Sequence, residues 1–325
     1  MLSLIKTIIL SLGVIYNSSV INMIDGHYYP NHTDYIKYIE KYDKKYNYNN
    51  YLNYKDNIQF IDEMNKKNLS YELEINYLTD VKIIDNMNMY KRVDCHNCYT
   101  SSDDIIPESL DWRSKNAVTH VKNQGNCGSC WSFSTTGSVE GAWSIKHNQL
   151  YNLSEQMLMD CSDKYGNKGC NGGIMDNAFK YIIDNGLCSE ESYPYQGVQG
   201  ICQSSDCNTV VRLKDYSDIK PNDEKILKRA VAQQPVSVAI QANLSSFHFY
   251  KSGVYQDTNC GDDLDHGVLI VGYGTDKIHG LDYWLVKNSW SDKWGENGYV
   301  RILRNYDGSE SGMCGIASQP SFPII

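Results

Sequence analysis

Basic residues are in short supply: 30 Lys and Arg stand against 39 Asp and Glu in 325 residues, a formal net charge of −9. The cations form no stripe. Holding phosphates needs clustered Lys and Arg, so nucleic acid is excluded as a partner. Long apolar runs are missing too. The one candidate, residues 8–15, is far shorter than the ~20 residues a bilayer span requires. It follows a weakly basic start (residues 1–6) and precedes Asn17, Ser18 and Ser19. That layout predicts a secretory signal peptide over residues 1–19 and no membrane anchor in the mature form. Internal repeats are absent. At one domain per ~150 residues the length predicts two folding units, or one large unit with an appendage. The 41% hydrophobic content suffices for a core.

Cysteine is plentiful. Eleven cysteines in a chain that enters the secretory route imply disulfides, and the odd count leaves at least one thiol outside intramolecular pairing. Asn31, Asn68, Asn152 and Asn243 each open an N-x-S/T sequon.

Two textures divide the chain. Residues 20–105 are rich in Tyr, Asn and Lys and poor in Gly. Tyr35, Ile36, Ile39 and Tyr42 recur at helical spacing, as do Tyr54, Ile58 and Ile61. Residues 85–104 turn polar without a period and predict an exposed, cleavable linker. From Ile106 Gly becomes frequent. Cys130 to His147 carries Trp131, Phe133, Val139, Trp143 and Ile145 and predicts a helix, and Ser154 predicts the N-cap of another reaching Cys161. Farther on, short apolar runs bounded by Gly, Asp or Asn predict strands at 236–240, 268–273, 283–287 and 299–303. A helical half before a β half predicts two lobes with a cleft between them.

The densest motif is Gln124-Gly125-Asn126-Cys127-Gly128-Ser129-Cys130-Trp131. Taken alone, its C-x-x-C admits three readings: a redox pair, half of a zinc site, or a nucleophile motif. The first needs a βαβ setting not seen here, and the second a matching second pair. Downstream lie Asp265-His266-Gly267, at the mouth of a strand pattern, and Asn288-Ser289-Trp290. With these the chain resembles the papain family of cysteine proteases, in its cathepsin L-like branch. The resemblance runs from Ile106 to the C-terminus almost without a gap. It includes Pro107-Glu108-Ser109-Leu110-Asp111-Trp112, Leu153-Ser154-Glu155-Gln156, Gly169-Cys170-Asn171-Gly172-Gly173, Tyr193-Pro194-Tyr195, Gly272-Tyr273-Gly274, Trp294-Gly295-Glu296-Asn297-Gly298-Tyr299 and Cys314-Gly315-Ile316.

The resemblance implies an α+β, papain-like two-lobed peptidase domain over residues 106–325, preceded by a mainly helical inhibitory propeptide over residues 20–105. It implies a cysteine endopeptidase made as a zymogen. Cys130, opening a helix whose N-terminal partial charge favours a thiolate, is the expected nucleophile. His266 is the expected base, and Asn288 orients it. Trp290 shields that contact from water. Gln124 is expected to donate to the oxyanion beside the Cys130 N–H. A binding protein that had lost catalysis would lack one of these four. A peptide ligase would use the same thioester with an amine in place of water.

By the same carry-over, the pocket for the second residue before the scissile bond is formed by Ile174, Met175, Ala239, Leu264 and Gln319, and predicts a hydrophobic preference there. Gly172, Gly173, Asp265 and Trp290 join the expected substrate-binding set. The implied disulfides are Cys127–Cys170, Cys161–Cys202 and Cys260–Cys314, which leaves Cys188 and Cys207 to pair as an extra bridge. Tyr54, Asn57, Ile61 and Asn65 follow one propeptide signature; Asn76 and Asp80 match part of a second. Tyr46 and Asn50 replace the family's Glu and Arg, and Glu74 and Leu78 replace its Gly and aromatic. A salt bridge between the propeptide helices is therefore expected to be missing. Cys95-His96-Asn97-Cys98 supplies too few ligands for a closed zinc site and predicts a small exposed disulfide loop, lost with the linker.

No cofactor and no metal are expected. The expected partners are protein or peptide substrates and the chain's own propeptide, with the enzyme a monomer. The expected location is the secretory pathway, ending in a lysosome- or vacuole-like compartment or outside the cell.

Overall fold

Tyrosine gives the leading segment its core. The computed structural model describes residues 23–24, 27–28, 32–82, 95–99 and 105–325. The expected signal segment, the Asn31 sequon and most of the linker lie outside the described residues. The chain divides into two units, one of residues 1–63 with 77–82, the other of residues 64–76 with 83–325.

In the first unit, strands β1 (Met23–Ile24) and β2 (His27–Tyr28) pair, followed by helices α1 (Thr33–Lys41) and α2 (Tyr48–Asn65). Tyr35, Tyr38, Ile39 and Tyr54 pack together, with the Tyr38 and Tyr54 rings 4.7 Å apart. The charge at their centre is Asp80, which is fully buried. It accepts hydrogen bonds from Tyr38 Oη (3.1 Å) and Tyr35 Oη (3.2 Å) and pairs with the Lys44 ammonium. Asn57 Nδ2 donates to the neighbouring Thr79 carbonyl (2.9 Å). This unit therefore holds its buried charge with two hydroxyls and a lysine.

The second unit begins with the end of α2. The Asn65 amide bonds the Leu73 backbone in both directions, at 2.8 and 2.9 Å. That contact orients β3 (Tyr71–Leu73), an unpredicted strand, antiparallel to β9 (Tyr250–Tyr255). Asn76 Nδ2 donates to the His248 carbonyl (2.8 Å). All three signature asparagines, Asn57, Asn65 and Asn76, thus act on backbone.

Next come β4 (Leu110–Asp111), then helices α3 (Cys130–His147), α4 (Glu155–Cys161) and α5 (Met175–Asn185). Strands β5 (Leu187–Cys188) and β6 (Thr209–Val211) pair with each other. The remaining elements are β7 (Asp215–Asp218), α6 (Glu224–Val231), β8 (Val236–Ile240), α7 (Ser245–His248), β9, β10 (His266–Thr275), β11 (Asp282–Lys287), β12 (Tyr299–Leu303) and β13 (Ser321–Ile324). The main sheet runs β3-β9-β12-β11-β10-β8-β13-β7, antiparallel except at β9/β12, with β4 added to β10. The architecture is α+β, helices before sheet.

Helix α3 is buried on nearly every side although much of it is Ser, Thr and Gly. Its hydroxyls tie it to the sheet: Ser134 Oγ donates to Val268 O (2.7 Å), Ser138 Oγ to Pro235 O (3.0 Å), and the Ser134 carbonyl accepts from Ser237 Oγ (3.0 Å). Buried polar groups satisfied in this way fix register as well as contact. The Ser154 side chain caps α4 by accepting from Met157 N (3.0 Å). The structure joins Cys127 to Cys170, Cys161 to Cys202, Cys188 to Cys207 and Cys260 to Cys314, and leaves Cys130 free.

Cys95 and Cys98 also form a disulfide. Their loop is more than an exposed appendage. Asp218 N donates to His96 O (2.9 Å), Tyr99 N to Asp218 O (2.7 Å), and His96 N to the Asp218 carboxylate (2.6 Å). The His96 ring stacks on Tyr216 and bonds Asp215 at 3.0 Å. The loop therefore occupies the free side of β7, the last strand of the sheet.

Candidate active site

Cys130 is the first residue of α3 and His266 the first of β10. The stitching of α3 to the sheet brings the two ends together. Gly267 makes the approach possible: a Cβ there would lie 3.2 Å from Trp131 N and 3.3 Å from the Cys130 carbonyl carbon. Behind the helix end, Gly173 serves the same purpose, since a Cβ would fall 2.6 Å from the Trp131 ring.

His266 Nε2 is 2.8 Å from Asn288 Oδ1, so the ring donates there and turns its other nitrogen elsewhere. The same Asn288 oxygen accepts from Ser289 N (2.7 Å). The Trp290 ring lies 4.8 Å from the His266 ring and tilts across it. Cys130 and His266 are 2% and 4% exposed. Burial pushes the Cys130 thiol up to about 11, against the N–H groups of Gly267 and Trp131, which favour the thiolate. Burial pushes the His266 imidazole down to about 4, against its bond to Asn288. Burial at this site thus works against charge on either group.

Gln124 is fixed at every polar atom. Its N–H donates to Ser289 O (2.8 Å), Oε1 accepts from Ser289 Oγ (2.6 Å), and Nε2 donates to Cys127 O (3.0 Å). Its carbonyl accepts from Tyr195 Oη (2.8 Å). An amide NH2 has two hydrogens, so one remains for an acceptor beside Cys130.

Of the expected pocket residues, Met175, Ala239 and Leu264 share one buried apolar cluster with Trp131. Ile174 and Gln319 are not part of it: Ile174 is the N-cap of α5, held by Asn167 Oδ1 (2.9 Å), and Gln319 is 8% exposed. Gly172 has φ +105° and precedes Gly173. The Asp265 carboxylate accepts from Ala242 N (2.7 Å), tethering the entry to β10.

Sequence reasoning missed a charge cluster behind the site. Lys122 pairs with Glu140 (3.1 Å) and Glu155 (2.6 Å), and Lys287 donates to Thr119, whose hydroxyl donates to Glu140. Burial lowers Lys287 to about 8 and raises Glu155, whereas in Lys122 the two carboxylates outweigh burial and raise its pKa. Lys122, Glu140, Glu155 and Lys287, with Gly267, Asn288 and Ser289, line a cavity of about 20 Å³. Glu155 lay within a motif carrying the resemblance, but no spacing rule paired it with Lys122.

A profile of the papain family cysteine proteases matches residues 106–324. Over 282 residues, 83% of this chain and 60% of the relative, the sequence is 47% identical to cysteine proteinase RD21A of Arabidopsis thaliana. It is 54% identical to a cathepsin L-like protein of Caenorhabditis elegans over 223 residues, 68% of this chain and 65% of the relative. The chain thus spans under two thirds of the length of these two curated relatives. The crystal structure of the ragweed pollen cysteine protease Amb a 11 in its proform superposes with a TM-score of 0.82 at 35% identity, covering 92% of this chain and 98% of that one. The chain belongs to the papain family of cysteine proteases.

Proposed function

We propose that this chain is the zymogen of a cysteine endopeptidase in which Cys130 attacks the scissile carbonyl. The observation that carries the reading is the close packing of Gly267 on the Cys130–Trp131 peptide, with His266 oriented by Asn288 at 2.8 Å. His266 takes the thiol proton and returns it to the leaving amine. The Gln124 amide and the Cys130 N–H stabilise the oxyanion. Water then releases the acyl group.

Burial raises the Cys130 thiol and lowers the His266 imidazole, so both shifts oppose the charged pair and support a latent form. Maturation near Ile106 would yield the active enzyme, in which the helix end and the Gly267 and Trp131 N–H groups favour the thiolate.

The expected pocket residues Met175, Ala239 and Leu264 are apolar and lie in one cluster, which favours Leu, Val or Phe two residues before the cleaved bond, with each methylene contributing about 1–3 kcal/mol. A panel of fluorogenic dipeptides differing at that position, given to the matured chain and to Cys130→Ala and His266→Ala, tests the whole reading. The matured wild type should prefer Leu to Arg, and both variants should lose turnover. Turnover by Cys130→Ala overturns the mechanism; preference for Arg overturns the pocket.

A further inference from the structure

Ser129 is the N-cap residue of α3, yet its side chain makes no capping bond. Its hydroxyl lies 2.7 Å from Tyr195 Oη, while its other contact, to Cys127 O, is 3.5 Å. Tyr195 Oη has one proton, and that proton goes to the Gln124 carbonyl at 2.8 Å. The direction is then fixed: Ser129 Oγ–H donates to Tyr195 Oη, and Tyr195 Oη–H donates to Gln124 C=O. Hydrogen bonds in such a chain polarise one another. The Tyr195 ring is held edge-on to Phe133 at 5.0 Å, and the Tyr195 backbone N–H donates to the Glu190 carboxyl at 2.8 Å.

The two ends of this relay adjoin the two halves of the oxyanion site. Ser129 immediately precedes Cys130, whose N–H is one donor; Gln124 carries the other. We propose that Tyr195 is a positioning residue that sets the distance between the Gln124 amide and the Cys130 N–H, and so tunes oxyanion stabilisation without touching the thiol or the imidazole. A hydroxyl clamp suits this task because oxyanion donors act only when preset, before charge develops. The proposal rests on the peptidase reading above.

The test separates oxyanion stabilisation from nucleophilicity. Iodoacetamide alkylates Cys130 by displacing iodide and forms no oxyanion, whereas peptide cleavage forms one. Full chains of wild type, Tyr195→Phe, Ser129→Ala and the double variant are matured identically with added pepsin, and both rates are measured across pH. Tyr195→Phe keeps the ring on Phe133. It should lower kcat for a fluorogenic peptide about 10-fold with little change in KM, less than the 10²–10³-fold that loss of an oxyanion donor itself costs. The alkylation rate and its pH profile should stay at wild-type values. Ser129→Ala should act in the same direction, and the double variant should lose no more than the larger single effect, because both break one relay. A peptide aldehyde, whose adduct carries a tetrahedral oxygen, should bind more weakly in step with kcat.

Equal losses of cleavage and alkylation would mean that Tyr195 merely supports the fold around Cys130, and would overturn the proposal. So would unchanged cleavage in Tyr195→Phe. If the matured wild type is alkylated at Cys130 yet cleaves no peptide, the peptidase reading itself fails and takes the relay with it.

Discussion

At Gly267 two backbones meet, and the smallest side chains measure how much separation the chemistry tolerates. A Cβ at 3.2–3.3 Å from the Cys130–Trp131 peptide asks its neighbours to give by a few tenths of an ångström. Gly267→Ala in the matured chain should therefore lose only a few-fold in kcat/KM. A branched side chain has no such accommodation. Gly267→Val should lose about 10²-fold or more, the scale expected when reacting groups move by about 1 Å. Both rates with a fluorogenic peptide check this, beside circular dichroism to show that Gly267→Val folds; wild-type activity in Gly267→Val would mean that His266 does not depend on this approach. At this scale much was legible in the sequence. Cys130, His266, Asn288 and Gln124 each stood in a distinctive local motif. Tyr195 stood in one as well, but its role depends on Ser129 and Gln124, far from it in sequence, and a hydroxyl reveals a partner only once the chain has folded.

Among the elements, helix α3, the Ser154 cap and strands β8, β11 and β12 could be read directly, because hydrophobic period and punctuation agree there. Strand β7 could not: Asp215-Tyr216-Ser217-Asp218 looks like a turn, and its strand character comes from pairing with β13 on one side and the Cys95–Cys98 loop on the other. Strand β3 is equally opaque, since three residues have no readable period and Asn65 orients them from outside the strand. These two unpredicted contacts are related. Strand β3 covers the β9 end of the main sheet and the disulfide loop covers the β7 end, so segments preceding Ile106 guard both edges. The loop contact also responds to acid. The hydrogen bond from His96 holds the Asp215 carboxyl below its ordinary value. A depressed carboxyl contributes above its unfolded pKa and loses that contribution as pH falls through its folded one, so docking weakens below the usual carboxylate range. The side chains are about half exposed, which limits the pair to about 1 kcal/mol or less. Hydrogen exchange on the full-length Cys130→Ala chain should show faster exchange at the Asp218 and Tyr99 amides in Asp215→Asn, and faster still in Cys95→Ser/Cys98→Ser. Unchanged protection would mean that the backbone bonds alone hold the loop.

Viewed whole, the molecule carries carboxyl groups whose burial opposes ionisation. Burial pushes Glu190 up to about 7 and raises Glu155 and Glu224 as well. Asp276 is displaced the other way, to about 2, by the N–H of His279 and by Arg301 in spite of burial, and so titrates well below the others. Between the ordinary carboxyl value of 4.5 and about 7, the folded chain keeps a proton on Glu190 that the unfolded chain has released. Stability must then fall as pH rises through that window and level off above it. Calorimetry of the full-length Cys130→Ala chain should show a higher Tm near pH 5 than near pH 7, and Glu190→Gln should flatten the difference. An identical pH dependence in both would remove Glu190 from the account. The guarded sheet edges have another consequence. A strand with unpaired N–H and C=O groups is a template for any other chain in solution. The portion from Ile106 onward, refolded by itself, would present β9 and β7 bare through the whole of its collapse, with two aspartates on β7 and Lys251 on β9 as the charges left to discourage pairing between molecules. The leading segment should therefore act on yield: losses to precipitation should be heaviest when this protein is renatured without it.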